Sequence, residues 1–145
     1  MEANDRAHLA QALRELTLSL LRDAPRHDLS RAAASTLSVL HRQGPQRITA
    51  LAEREAVSQP SMTGLVQRLE AAGYLERAPD PGDGRASLVS VTAKGVEALE
   101  ARRRVHDEVI EARLTELSED DLRALAAAVP AIQQLISTTE AHVNR

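Results

Sequence analysis

The side chains best suited to chemistry in this chain lie in one stretch, SQPSMTGLVQRLEAAGYLERAPDPGDGRASLVSVTAKG, which runs from Ser58 to Gly95. Its first third carries hydroxyl, amide and guanidinium groups at helical spacing, and Arg85 follows the turn-forming run DPGDG. Amide and guanidinium groups on a helix can bond to base edges, and hydroxyl groups can bond to phosphates. The stretch therefore predicts a surface that binds DNA.

Two short helices and a hairpin would position these side chains. Thr49 is predicted to cap a helix of about two turns through Glu55, and Ser58 to cap a second helix that ends at Gly73. The segments YLERA and ASLVSVT have strand character and flank the turn residues 80–84. A helix-turn-helix followed by a two-stranded hairpin is a winged helix.

We expect DNA contacts along the second of these helices, which would lie in the major groove. The side chains predicted there are Gln59, Ser61, Met62, Thr63, Gln67 and Arg68. Phosphate contacts are expected from Thr49 and Ser58 at the helix starts and from Arg77 near the wing. The alternative is that the serines and threonines only cap helices.

Arg85 has the side chain best placed to probe DNA from the hairpin. A long, permanently charged side chain at the tip of a thin hairpin can enter the minor groove, where the negative potential is strong. Asp83 is predicted to brace its guanidinium group through a bidentate contact. The alternative is a solvated loop arginine with an acidic neighbour.

Helices are also predicted on both sides of the winged helix, which makes the fold class mainly α. Leucines step by three and four residues from Leu9 to Leu20 in a helix over 3–22, with Asn4 or Asp5 as its cap. Ser30 can cap a second helix that ends at Gly44.

Two more helices are predicted after the hairpin. Thr92 can cap a long helix to about Thr115, and Ser118 can start the last one. A seam of apolar residues follows at heptad-like spacing, which suits packing against another helix: Leu122, Leu125, Val129, Ile132 and Ile136. Pro130 predicts a kink or break in this helix near residues 126–129.

The composition excludes several classes of protein. Hydrophobic residues make up 43% of the chain, yet Phe and Trp are absent. Cys is absent too, which excludes disulfides, thiolate metal sites and thiol redox sensing. The first residues match neither a signal peptide nor a transit peptide, and no apolar run approaches the roughly 18 to 20 residues that span a bilayer. We therefore expect a cytoplasmic protein.

The net charge of −3 is unevenly distributed. Residues 105–145 carry three basic and eight acidic side chains, whereas residues 47–104 carry nine and eight. A few well-placed arginines in the middle of the chain could therefore meet DNA, although a broad basic surface is missing.

Residues 30–95 resemble the MarR family of bacterial transcription regulators. The resemblance is carried by the predicted recognition helix, by RLEAAG, by the wing DPGDGR and by the closing turn VTAKG. It implies a homodimer in which two winged helices bind a pseudo-palindromic site on double-stranded DNA. The corresponding division is residues 1–29 and 96–145 for dimerisation and residues 30–95 for DNA binding.

The resemblance also implies a transcriptional repressor that a small anionic or phenolic effector releases from DNA. Two departures from the family pattern bear on DNA affinity: Gly84 replaces an expected wing arginine, and Gly64 replaces a larger, often basic residue. Arg14 and His41 are weak candidates for an effector site. The alternative function is a winged-helix dimer that binds another protein and has lost DNA affinity.

No catalytic site, cofactor or metal site is predicted. The five histidines form no local ligand motif, and a zinc site without cysteine would need them to converge with carboxylates. The chain has no glycine-rich phosphate loop and no nucleophile elbow. We therefore expect a protein that is not an enzyme.

Overall fold

The computed structural model describes residues 3–143, and the side chains of residues 4–138. The helices are α1 (Ala3–Arg22), α2 (Arg31–Gln43), α3 (Ile48–Arg54), α4 (Gln59–Ala71), α5 (Ala93–Leu114) and α6 (Glu119–Val143). The strands are β1 (Gln46–Arg47), β2 (Leu75–Asp80) and β3 (Asp83–Val91). The prediction of a mainly α winged helix-turn-helix is confirmed.

Side-chain caps start three helices where the sequence predicts them. The hydroxyl oxygens of Ser30, Ser58 and Ser118 each accept a hydrogen bond from the backbone N–H three residues later, at 3.1, 3.3 and 3.1 Å. Gly44 ends α2 with a φ of 79°, a conformation that favours glycine. These local signals therefore set the limits of α2 and the starts of α4 and α6.

Two cap predictions are wrong. Thr49 lies inside α3, whose N-cap is Arg47, because pairing of Gln46 and Arg47 with β3 keeps the chain extended up to Ile48. Asn4 and Asp5 lie inside α1, which already includes Ala3. The N-cap of α1 falls outside the described residues.

The wing belongs to a three-stranded antiparallel sheet with the order β1-β3-β2, which adds one strand to the predicted hairpin. Only Pro81 and Gly82 separate β2 from β3, and Asp80 pairs with Asp83 after an irregularity at Pro79. The turn is thus shorter than the predicted 80–84. Arg85 consequently lies in β3, just beyond the tip.

The core of the winged helix is made of aliphatic side chains, as the composition requires. Its fully buried hydrophobic members come from α2, α3, α4 and β3 and are Leu37, Leu40, Leu51, Met62, Val66 and Val89. Burying such side chains contributes roughly 1.5 to 3 kcal/mol each. The helix-turn-helix and the base of the wing therefore share one core.

The start of α5 is bonded to the end of α4. The Thr92 hydroxyl donates to the carbonyl of Gly73 at 2.6 Å and accepts from the backbone N–H of Gly95 at 3.1 Å, so it caps α5 as predicted. Lys94 donates to the carbonyl of Ala72 at 2.9 Å. A cation suits this position because carbonyl groups at a helix C-terminus carry partial negative charge.

The chain divides into two compact units, Met1–His106 and Asp107–Arg145, with the boundary inside α5. In the second unit α6 is continuous through Pro130, so the predicted break is absent. The predicted three-part division of domains stays a prediction. Among residues 3–143, no helix has both the length and the apolar character needed to cross a membrane.

Apolar side chains remain exposed on the helices that the sequence assigns to dimerisation. In α1, Leu9 and Leu16 are each 53% exposed. In α6, four of the five predicted seam residues are between 41% and 56% exposed: Leu125, Val129, Ile132 and Ile136. Large exposed apolar patches usually mark interaction sites, so both helices are candidates for one.

Candidate nucleic-acid interface

Helix α4 presents a polar face to solvent because its apolar residues recur every three or four positions. Met62, Val66 and Leu69 are buried, and the opposite side of the helix is exposed. The predicted contact residues on the exposed side are Gln59, Ser61, Gln67 and Arg68, while Thr63 is half-buried. Their amide, hydroxyl and guanidinium groups can bond to base edges.

The prediction that Met62 contacts DNA is wrong. Its side chain is 1% exposed and belongs to the hydrophobic core. The spacing already carried this signal, since Met62 precedes Val66 by four residues and Leu69 by seven. A thioether in that position packs against the core and leaves the exposed side of α4 to its polar neighbours.

Ser58 and Ser61 form the start of the exposed face. The Ser58 hydroxyl donates to the Ser61 hydroxyl at 2.8 Å, and Ser58 also caps α4. Pro60 occupies the first turn, where its missing N–H leaves no hydrogen bond unmade. These contacts therefore order the N-terminal turn of α4 in the free protein.

The start of α4 lies beside α3 and the wing. Thr49 and Gln59 line one depression of about 300 Å³ together with Arg47 and Ser87, which is on β3. The structure therefore brings the predicted contacts Thr49 and Gln59 together. It also places both next to a wing strand.

Arg85 projects from β3 with an exposed side chain. Among the described side chains its guanidinium group has no ion-pair partner. The predicted bidentate contact with Asp83 is absent, because the Asp83 carboxylate accepts a hydrogen bond from the backbone N–H of Arg85 at 3.0 Å. Asp83 thus shapes the strand near the tip, and the Arg85 side chain stays available.

Arg77 reaches from β2 toward α4. Its Nε donates to Glu70 at 2.9 Å, and its side chain is 30% exposed. Arg77 and Arg85 also line a shared depression of about 320 Å³ on the wing, beside Gly84. A Cβ at Gly84 would meet nothing within 4 Å, so the missing wing arginine leaves open space there.

Arg47 is a polar residue of this surface that was not predicted from the sequence. Its Nε donates to the Asp80 carboxylate at 2.7 Å, its Nη2 contacts the same oxygen, and the Asp80 side chain is only 10% exposed. The backbone N–H of Gly82 donates to the other oxygen at 2.9 Å. This bond, followed by the contact with Arg47, lowers the pKa of Asp80 below its usual value.

The other flank of α4 faces α2. Ser61 and Arg68 line a cavity of about 290 Å³ with Ser30, Thr36 and Leu65, among others. The predicted contacts on α4 are thus split between a flank near the wing and a flank near α2. Arg68 also lines the adjoining cavity of about 360 Å³, which extends to Tyr74.

The two candidate effector residues lie on different helices. Arg14 is exposed on α1, and its Nη2 lies 3.9 Å from Oε1 of Glu15. His41 is exposed in the last turn of α2. Neither lines the cavities between α2 and α4. Across residues 3–143, no group of three or more His, Asp or Glu side chains could hold a metal ion.

A helix-turn-helix with an exposed polar second helix and an arginine-bearing wing defines the class of winged helix-turn-helix regulators. Residues 27–86 match the family model described as MarR family. The chain belongs to the MarR family of transcriptional regulators. Members of this family bind DNA and act as dimers.

Individual relatives agree with this assignment. The chain is 36% identical over 134 residues to the uncharacterised HTH-type transcriptional regulator ML2140 of Mycobacterium leprae, covering 88% of this chain and 94% of that protein. It is 38% identical over 66 residues to the HTH-type transcriptional repressor NicR of Pseudomonas putida, covering 46% and 42%. The crystal structure of transcriptional regulator Tm0710 from Thermotoga maritima matches with a TM-score of 0.75 and 27% identity, covering 93% and 98%.

Proposed function

We propose that this protein is a homodimeric, sequence-specific DNA-binding repressor of the MarR type, whose release from DNA is triggered by a small anionic or phenolic effector. It acts by binding DNA and not by catalysis, and it works in the cytoplasm. The observation that carries the proposal is the exposed Arg85 guanidinium on the wing, next to a recognition helix whose polar face is free.

DNA recognition divides between the helix and the wing. Base contacts in the major groove come from Gln59, Ser61, Thr63, Gln67 and Arg68, and Arg85 enters the minor groove. Thr49, Ser58 and Arg77 contact phosphates, and Asp83 sets the backbone from which Arg85 projects. Arg77 keeps its contact with Glu70 in the free protein, so its phosphate contact requires that ion pair to open or to be shared.

Dimerisation would supply the symmetry of the site. The leucines exposed on α1 and the apolar residues exposed on α6 give each of these helices a surface for a second chain. Two recognition helices in such a dimer lie about 34 to 36 Å apart, which is one turn of DNA. The binding site is therefore a pseudo-palindrome.

Repression is supported by the 38% identity, over 66 residues, to the HTH-type transcriptional repressor NicR. Release by an effector is a shift in population: the compound binds more tightly to dimers whose recognition helices are spaced wrongly for DNA. An aromatic effector would be held by aliphatic walls and cationic side chains, because Tyr74 is the only aromatic residue.

The proposal is tested by fluorescence anisotropy with DNA from the promoter next to the gene for this protein. Wild type is compared with Arg85→Ala and with Arg123→Ala, which removes the same charge from the exposed surface of α6. We expect specific, salt-dependent binding that Arg85→Ala weakens roughly tenfold and Arg123→Ala leaves unchanged. Absence of specific binding at any salt concentration would favour the protein-binding alternative.

A further inference from the structure

The end of the wing is bonded to the start of the helix-turn-helix through one ion pair. Arg47 is the last residue of β1 and the N-cap of α3, and Asp80 is the last residue of β2, 33 residues later. Two nitrogens of the Arg47 guanidinium contact one oxygen of the Asp80 carboxylate. The contact thus joins two residues that are 33 positions apart in the sequence and that lie on the two strands flanking β3.

On the β1 side of the wing, strand pairing involves only two residues of β1. β1 pairs only with Leu88 and Val89, at the base of β3. Nearer the tip, Ser87 and Asp83 pair with Pro79 and Asp80 of β2, and the irregularity in the register leaves residues 84–86 between these two pairs. The Arg47 side chain therefore extends beyond the end of β1 and reaches the turn that the strand itself does not reach.

Asp80 also shapes the turn. Its second carboxylate oxygen accepts the hydrogen bond from the backbone N–H of Gly82, so both oxygens are engaged. A carboxylate held in this way connects the local geometry of the turn to the position of Arg47. Movement of the wing tip relative to α3 would break the contact with Arg47.

We infer that Arg47 and Asp80 are positioning residues for DNA binding, because their ion pair fixes the wing relative to α3 and so sets where Arg85 meets the minor groove. This inference rests on the proposed function. Ordering the wing before binding removes part of the entropy that association must otherwise overcome. Neither side chain needs to touch DNA for this effect.

The inference predicts a change in DNA affinity opposite in sign to the change that long-range electrostatics alone would cause. Removing a negative charge from a surface that meets phosphates should strengthen DNA binding if only long-range charge matters. Asp80→Asn removes that charge and keeps an oxygen that can accept from Gly82. If the ion pair positions the wing, Asp80→Asn weakens binding in spite of the charge.

The experiment compares wild type, Asp80→Asn, Arg47→Gln and the double variant in anisotropy titrations at several salt concentrations. Glu76→Gln is the matched control, because Glu76 is an exposed acid on the same strand and has no ion pair among the described residues. Amide hydrogen exchange of residues 82–87 in the free protein reports directly on the order of the wing.

We expect Asp80→Asn and Arg47→Gln each to weaken specific binding by roughly three- to tenfold, and the double variant to be no weaker than Arg47→Gln alone. The salt dependence of Asp80→Asn should equal that of wild type, because no phosphate contact is lost. Wing amides should exchange faster in both single variants, and Glu76→Gln should bind at least as tightly as wild type.

Two results would overturn the inference while leaving the proposed function intact. One is Asp80→Asn that binds as tightly as wild type or more tightly. The other is a double variant whose loss is the product of the two single losses, which would make Arg47 an independent DNA contact. If wild type itself shows no specific binding, the proposed function fails. The amide exchange then still tests the positioning role, which is refuted if the wing amides of the single variants exchange as slowly as those of wild type.

Discussion

The carbonyl oxygen of Tyr74 occupies the space that a side chain on Gly95 would need. A Cβ at Gly95 would overlap this oxygen and would lie 2.8 Å from Cγ2 of Val91. Only glycine at this position allows the first turn of α5 to pack against the start of β2. The end of the recognition helix, the base of the wing and α5 are thereby held together.

Gly95→Ala should therefore destabilise the protein. The added methyl group meets backbone, which cannot move aside cheaply, and overpacking of this kind costs about 1 to 3 kcal/mol. Urea unfolding measures the loss. Gly84→Ala is the control, since a Cβ there meets nothing within 4 Å, and equal stability of the two variants would contradict the packing argument.

Gly64→Ala should instead stabilise the protein. Gly64 lies inside α4, and its Cβ would be 3.6 Å from Nη1 of Arg68, an ordinary contact distance. Replacing a helical glycine by alanine stabilises a protein by about 0.5 to 1 kcal/mol. The thermal midpoint should rise.

Gly44→Ala supplies the comparison for this experiment. Gly44 has a φ of 79°, which disfavours a side chain, so its replacement should lower the thermal midpoint. A fall in the midpoint for Gly64→Ala would show that α4 needs glycine for a reason other than space.

Met62 and Gln59 should separate stability from DNA binding. Met62→Ala removes a buried side chain and should cost about 2 to 5 kcal/mol of folding free energy. Gln59→Ala changes an exposed side chain and should weaken DNA binding while leaving the urea midpoint nearly unchanged. If Gln59→Ala binds DNA like wild type, Gln59 is not a base contact.

How much could be read from sequence depends on how local each signal is. The caps at Ser30, Ser58 and Ser118 and the glycine at position 44 act within one helical turn, so their residue types predict the helix limits. Thr49 fails as a cap because strand pairing with β3, some 40 residues away, decides where α3 starts.

The site residues follow the same rule. The burial of Met62 follows from its spacing with Val66 and Leu69, a signal that was present in the sequence. β1 has only two residues, too few for an alternating pattern, and the partner of Arg47 lies 33 residues away. The Arg47–Asp80 ion pair therefore depends on the folded sheet and could not be predicted from residue types.

Asp80 should make the order of the wing depend on acid pH. Its pKa in the folded protein lies below the usual 3.8, first because of the Gly82 N–H and then because of Arg47. A carboxyl group with a lowered pKa stabilises the fold above its unfolded pKa, and this contribution is lost as the pH falls through the folded pKa. The loss therefore begins below about pH 3.8.

An NMR titration of the Asp80 carboxyl carbon checks this expectation. The midpoint should lie below 3.8 in wild type and should rise in Arg47→Gln, yet stay below 3.8 because the Gly82 N–H remains. Arg123→Gln, a change on α6, should leave the midpoint where it is. A wild-type midpoint at or above 3.8 would refute the assigned contacts.

We propose that the recognition helix and Arg85 contact DNA together, in adjacent grooves. Hydroxyl-radical footprinting of the operator with wild type and Arg85→Ala tests it most directly. We predict two protected half-sites about one helical turn apart, with flanking minor-groove protection that disappears in Arg85→Ala while the central protection remains. An identical footprint for both proteins would contradict the claim.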